Sequence, residues 1–186
     1  MSYYHSRRNA RKSSKYGSGG KSRRPLPLKY IPKRLTTKDA KRQRNMLNKS
    51  RKMYKSGKYY TRKKVRSFKS KTSRHIRTAR KVYKMESIVP SKELSRKTGC
   101  SIASLKKIVN KGEGAYYSSG SRPNQTARSW GIARLASSIT GGKSAAVDFS
   151  ILDKGCSHTK KAFRFAKKAR KKHGHGTRRI VRTRLW

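Results

Sequence analysis

Ser91-Lys92-Glu93-Leu94-Ser95-Arg96-Lys97-Thr98-Gly99-Cys100-Ser101-Ile102-Ala103-Ser104-Leu105-Lys106-Lys107-Ile108-Val109-Asn110 reads as two short helices joined by a tight turn. Ser91 and Ser101 each stand where a side-chain oxygen can accept from the first free backbone N–H groups of a helix. Gly99 stands where a helix stops in the left-handed region. The first helix is expected over 92–98 and the second over 102–110, with Leu105 and Ile108 facing inward. Ser95 is small enough for close packing, so the spacing is that of a helix-turn-helix. In the DNA-reading version the second helix enters the major groove, and Ser101, Ser104, Lys106 and Lys107 face outward. A plain αα-hairpin in a small core needs the same residues and is the simpler reading.

Downstream, residues 111–125 are rich in Gly, Ser, Tyr and Asn and read as an ordered loop. Thr126 or Ser129 opens a helix through Ile139 that carries Trp130, Ala133, Leu135 and Ala136. Gly141-Gly142 stops it. Residues 145–152 are a strand or a further helical turn. A basic helix over 160–172 carries the narrow stripe Ala162, Phe163, Ala166 and Ala169, followed by a basic tail to Trp186. Upstream, residues 1–24 show no apolar period. Leu26, Leu28 and Ile31 lie among Pro25, Pro27 and Pro32 as anchors of an extended segment. Thr36 or Thr37 caps a helix from Lys38 to about Tyr54, with Ala40, Leu47 and Tyr54 seven apart, and Gly57 ends it. A second helix is expected over 73–85, with Ile76, Ala79, Val82 and Tyr83 on one side.

The expected fold is therefore mainly α. A small helical module over 86–156 combines the helix-turn-helix-like hairpin, a Trp-bearing helix and an ordered Gly/Ser/Tyr loop. Around it lie long basic arms: an extended arm 1–37, a basic helical arm 38–85, and a basic helix and tail 157–186.

Charge supports that division. The 186 residues hold 54 Lys or Arg and six acids, a formal net charge of +48. Residues 1–85 carry 31 cations against Asp39; 86–156 carry 11 against five acids; 157–186 carry 12 against none. A charge so dense and one-signed is the footprint of a nucleic-acid binder, with anionic membrane surfaces and acidic protein faces as the other partners. Contacts to such partners are expected from Arg7, Arg8, Arg23, Arg24, Arg62, Lys63, Lys64, Lys106, Lys107, Lys167, Lys168, Arg170, Lys171, Lys172, Arg178 and Arg179. Ten tyrosines, many beside Lys or Arg, can stack on bases or anchor the chain in protein grooves.

Three further motifs point elsewhere and weakly. Thr140-Gly141-Gly142-Lys143-Ser144 resembles the end of a phosphate-binding loop, but Ser137 stands where that loop needs glycine, so a helix stop is expected. Cys156, His158, His173 and His175 lack a common zinc spacing. Asp148 and Asp153 are read as partners of nearby Lys or Arg rather than an acid–base pair. Cys100 and Cys156 are expected as two small, buried or half-buried, unbridged thiols in a reducing compartment. No catalytic set, cofactor, metal or small-molecule substrate is expected, and the chain is not read as an enzyme. No apolar run suggests a signal peptide or a membrane span.

The run KGEGAYYSSGSRPNQTARSWGIARLASSITGGKSAAVDFSILDKGC, residues 111–156, resembles the signature block of a family, without assigned activity, found in large DNA viruses of algae and protists and in some phages. The resemblance rests on Gly112, Gly114, Ala115, Tyr116, Ser119, Gly120, Ser121, Arg122, Pro123, Trp130, Gly131, Ala133, Arg134, Leu135 and Asp148. It covers 86–156, while the arms are not diagnostic. Gly112, Gly114, Tyr116, Tyr117, Arg122, Pro123, Trp130, Arg134 and Asp148 are expected to hold structure, the loop acting as a clasp between the hairpin and the Trp130 helix, with a ligand-binding loop as the alternative.

The resemblance implies a chlorovirus-like structural virion protein, assembled in the host cytoplasm and located in the capsid interior. The first expectation is a minor capsid, or cement, protein on the inner face of a large icosahedral shell. Its arms would bind major capsid subunits and other minor capsid proteins, with surplus charge toward genomic DNA or an inner membrane surface. The alternatives are a virion DNA-condensing protein and a ribosomal-type RNA-binding protein.

Overall fold

Side-chain caps and apolar stripes place the helices. The computed structural model describes residues 26–176. Arg7, Arg8, Arg23, Arg24, Arg178 and Arg179, with the rest of the two end segments, lie outside the described residues. After a 3-10 turn, Leu28–Tyr30, come α1 Thr37–Lys55, α2 Arg74–Tyr83, α3 Lys92–Thr98, α4 Ile102–Ser118, α5 Ala127–Ile139, α6 Lys143–Val147, α7 Phe149–Gly155 and α8 Lys161–His173. The protein is mainly α, and no strand occurs among the described residues. Thr36, Ser91 and Ser101 accept from the backbone N–H groups of Asp39, Leu94 and Ser104. Thr126 and Ser129 together form a capping box at the start of α5. Gly99 closes α3 with φ 72°.

Two apolar clusters organise the body. The larger joins α2 through α8, with Ala79, Tyr83, Leu94, Leu105, Ile108, Leu135, Ile139, Leu152 and Phe163 among its members. The second gathers Leu26, Tyr30, Ile31, Leu35, Met46, Leu47, Val65 and Phe68, with Trp130 packed against it. The segments read as arms thus supply core. Residues 26–35, α1, the 60–70 segment, α2 and α8 are all folded onto the 86–156 region. The reason is visible in their stripes: Ala162, Phe163, Ala166 and Ala169 of α8 are buried, as are Met46 and Leu47 of α1 and Ala79 and Tyr83 of α2.

The Gly/Ser/Tyr loop begins later than expected, because α4 continues through Gly112, Gly114, Tyr116 and Tyr117 to Ser118. Tertiary contact overrides the low helix propensity of glycine here. A Cβ at Gly112 would stand 2.6 Å from the Gly131 Cα, and one at Gly131 2.7 Å from the Val109 carbonyl oxygen. Backbone meets backbone where α4 crosses α5, and only glycine fits.

The cysteines are not free thiols. Cys100 and Cys156 form a disulfide across 56 positions and are both buried. Backbone pairing brings them together: Ser101 N–H donates to Gly155 O (2.8 Å), and Ser157 N–H to Gly99 O (2.7 Å). Cys156 is therefore unable to join a zinc site as a thiolate. Among the described residues no group of three His, Cys, Asp or Glu could hold a metal ion.

Candidate functional site

Five of the six acids bond to groups of the body, and Glu86 is exposed. Asp148, fully buried, accepts from Arg134 Nε (2.8 Å) and Nη2 (2.6 Å) and from Ser138 Oγ (2.9 Å). Lys111 Nζ adds an ion pair at 2.9 Å. One carboxylate thereby ties α4, α5 and the α6–α7 junction, with Arg134 18% exposed. Asp39 accepts from both the backbone N–H (2.8 Å) and the hydroxyl (2.7 Å) of Ser67, and these bonds hold its carboxyl below the ordinary carboxylate pKa. Glu93 pairs with Lys97, Glu113 with Arg128, and Asp153 with His158. His158 also stacks on Phe163 at 3.8 Å between centroids.

Arg62 is not the outward contact expected of it. It is 8% exposed, and its guanidinium donates to Ser50 Oγ (3.1 Å), Tyr116 O (3.0 Å) and Ser121 Oγ (2.7 Å). It also lies 3.6 Å from the centroid of the Tyr116 ring. All of these partners are neutral. Burial pushes its pKa below the ordinary arginine value, yet a guanidinium stays charged, so the fold encloses a positive charge beneath Tyr116.

The 119–125 loop is a clasp, fastened to partners other than those expected. Asn124, at φ 58°, receives Val65 N–H on Oδ1 (2.8 Å) and donates Nδ2 to Val65 O (3.0 Å) and Phe68 O (2.6 Å). Gln43 Nε2 donates to Tyr30 O (3.3 Å) and Ser121 O (3.5 Å). The loop thus pins α1 and the 60–70 segment. Pro123 is buried, Arg122 is exposed, and Trp130 meets Tyr30 edge-on at 6.2 Å. Asn124 and Gln43 were not singled out from sequence. Pro123-Asn124 is a turn dipeptide whose Asn tolerates the left-handed region, the one available sign. Gln43 carried none.

The hairpin is partly covered where a reader would need it open. A recognition helix presents its N-terminal residues to base edges. Here 155–157 lie against the start of α4, held by the two backbone bonds and the disulfide, while Ala103 stays exposed. Ser101, Lys106 and Lys107 are exposed, as expected of them, and Ser104 is half-buried against Gly155. The Gly141-Gly142 pair is a helix stop: Gly141 has φ 69°, and Gly142 precedes the five-residue α6.

The remaining cations line the outside. Lys63, Lys64, Lys167, Lys168, Lys171 and Lys172 are exposed, while Arg170 is half-buried over Phe149 at 5.0 Å. Between α2 and α8 runs a groove of about 340 Å³ lined by Val82, Lys161, Arg164, Phe165 and Lys168. It adjoins a second of about 390 Å³ lined by Val82, Tyr83, Lys84, Lys97, Lys160 and Lys161. The surface is cationic over the body itself. Residues 26–176 hold all six acids and 42 of the 54 cations, since eight precede and four follow, leaving 42 − 6 = +36. No helix among the described residues is long and apolar enough to cross a membrane.

Residues 27–157 match a family described as a family of unknown function (DUF5824). No curated protein and no solved structure matches the chain. The matched span takes in α1 through α7, both cysteines, the Asp148 network and the 119–125 clasp, and the chain belongs to this family.

Proposed function

We propose that this DUF5824 chain is a non-catalytic structural protein of a virus particle that binds packaged nucleic acid by neutralising phosphates on a folded cationic surface. The observation that carries the reading is the segregation of charge. Asp39, Glu93, Glu113, Asp148 and Asp153 all have partners within the body, whereas Lys and Arg cover its exterior at a body charge of +36. A surface on which Lys and Arg far outnumber the three exposed acids, Glu86, Glu93 and Asp153, attracts a polyanion and reads no particular sequence. The crowding of the start of α4 by 155–157 supports sequence-independent contact over base reading.

Binding to a random-sequence duplex, measured across salt concentrations, tests this. Affinity should fall steeply and linearly on a log–log plot, losing about 10³-fold or more between about 50 and 200 mM salt. Equal affinity for unrelated duplexes is the companion result. No binding at about 50 mM salt refutes the proposal.

The disulfide suits a protein of an assembled particle and is equally compatible with a second reading, a minor capsid protein on the inner face of an icosahedral shell. Disulfides persist in oxidising surroundings, which include virion surfaces. On this reading the folded body, rather than arms threaded over 38–85, docks on acidic faces of major capsid subunits. Quantitative mass spectrometry of shells emptied of DNA separates the two. A cement protein stays with the shell at fixed stoichiometry, and a condensing protein leaves with the genome.

A further inference from the structure

Beyond phosphate contact, one aromatic cluster suits the bases themselves. Tyr59 is 69% exposed, more than any other large apolar side chain among the described residues. It is nevertheless held in place. Its ring meets Tyr54 at 6.0 Å and 62°, and Tyr117 at 4.9 Å and 64°. Tyr54 and Tyr117 lie nearly parallel, 5° apart in plane, at 6.3 Å. Tyr117 in turn meets Tyr116 edge-on at 4.9 Å, and Tyr116 carries the buried Arg62 guanidinium on its face. A row of rings therefore runs from an enclosed cation to solvent.

The flanks are cationic. Lys55 and Lys58 are exposed on either side of the turn at Gly57, and Lys63 and Lys64 follow. No Asp or Glu occurs between Asp39 and Glu86. An aromatic ring already held by its neighbours loses little conformational freedom on stacking. Aromatic faces among cations bind unpaired bases, since every base has a π-face. A duplex offers no such face except at its ends.

We propose that Tyr59, braced by Tyr54 and Tyr117, is a stacking platform for an unpaired base of single-stranded nucleic acid, with Lys55 and Lys58 on the flanking phosphates. The inference rests on the phosphate-binding reading and adds a strand preference to it. It is tested with the full chain and Tyr59→Ala, binding oligothymidylate, an abasic strand of equal length, a duplex and polyglutamate at one salt concentration. Tyr59→Ala should weaken oligothymidylate binding by about 5–150-fold and leave the duplex within about twofold, and Tyr59→Trp should restore the loss. The wild type should bind the abasic strand only as well as Tyr59→Ala binds oligothymidylate.

Equal wild-type affinity for the abasic and thymidine strands overturns the platform while leaving phosphate binding intact. So does a Tyr59→Ala loss that is the same for duplex and single strand. A loss of the same size for polyglutamate assigns the patch to acidic peptides and overturns it too. Failure to bind any nucleic acid overturns both proposals. Circular dichroism of Tyr59→Ala should match the wild type, given how little of the ring is buried.

Discussion

Removing the Cys100–Cys156 bridge is a direct test of how the body is held. The two cysteines are 56 positions apart, so oxidation closes a long loop in the unfolded chain. With n near 56, the chain-entropy relation gives about 14 cal/mol/K, or about 4 kcal/mol at 25 °C. For a chain of this size that corresponds to a fall in Tm of roughly 8–16 °C. The native state changes less, because the 99–101 and 155–157 segments remain paired through Ser101 N–H to Gly155 O and Ser157 N–H to Gly99 O. The assay is thermal and urea unfolding of wild type with and without reductant, alongside a Cys100→Ser, Cys156→Ser double variant. Thiol counting by mass spectrometry reports the redox state of each sample. Reductant should lower the wild-type midpoint to that of the double variant and leave the variant unchanged. A wild type that carries two free thiols after aerobic purification, or whose midpoint ignores reduction, refutes the reasoning.

Other perturbations should separate structural from merely exposed positions. Asp148→Asn leaves Arg134 and Lys111 without their carboxylate and should cost about 3–5 kcal/mol in urea unfolding. Gly112→Ala forces a methyl against the Gly131 backbone and should destabilise by about 1–3 kcal/mol. Gly114→Ala, whose Cβ would meet only the Tyr54 hydroxyl at 3.5 Å, should be neutral or stabilise by up to about 1 kcal/mol, read from the same melts. His75 has its pKa lowered by burial, then by Arg74 and Arg122, from an ordinary 6.5. The unfolded chain therefore takes up the proton first, so stability is full above pH 6.5 and falls as the pH drops below it. His75→Gln should flatten that slope. Asp39 acts in a lower window, its contribution being lost as the pH falls from the ordinary carboxylate range through its depressed value.

Helix starts and stops were legible because they are local. Thr36, Ser91, Ser101 and Thr126 cap where their side chains can reach their own third residue, and Gly99 and Gly141 turn where φ must be positive. The stripe Ala162, Phe163, Ala166 and Ala169 declared the buried face of α8 by periodicity alone. What failed depended on distant partners. Residues 112–118 looked like loop because the glycines were read by propensity, whereas their use is set by Gly131, nineteen positions beyond Gly112. The disulfide was missed because spacing says nothing about which turns meet. Arg62 was read as surface because arginine usually is; its neutral acceptors come from α1, α4 and the clasp, which no local pattern joins to it. Asp148 was correctly read as a partner of cations, though its role in joining three elements needed the fold.

The strongly cationic exterior also fixes how folding responds to its surroundings. Most surface ion pairs weaken as salt is added, but here the dominant surface term is repulsion among like charges, which salt screens. Unfolding free energy should therefore rise with ionic strength. A polyanion does the same by mass action, adding about 2.7 kcal/mol when present at a hundred times its Kd. The chain would then be least stable when newly made and dilute, and most stable once surrounded by the polymer it binds. If the chain binds a polyanion as proposed, binding and tightening of the fold become a single event, ordered by counter-charge.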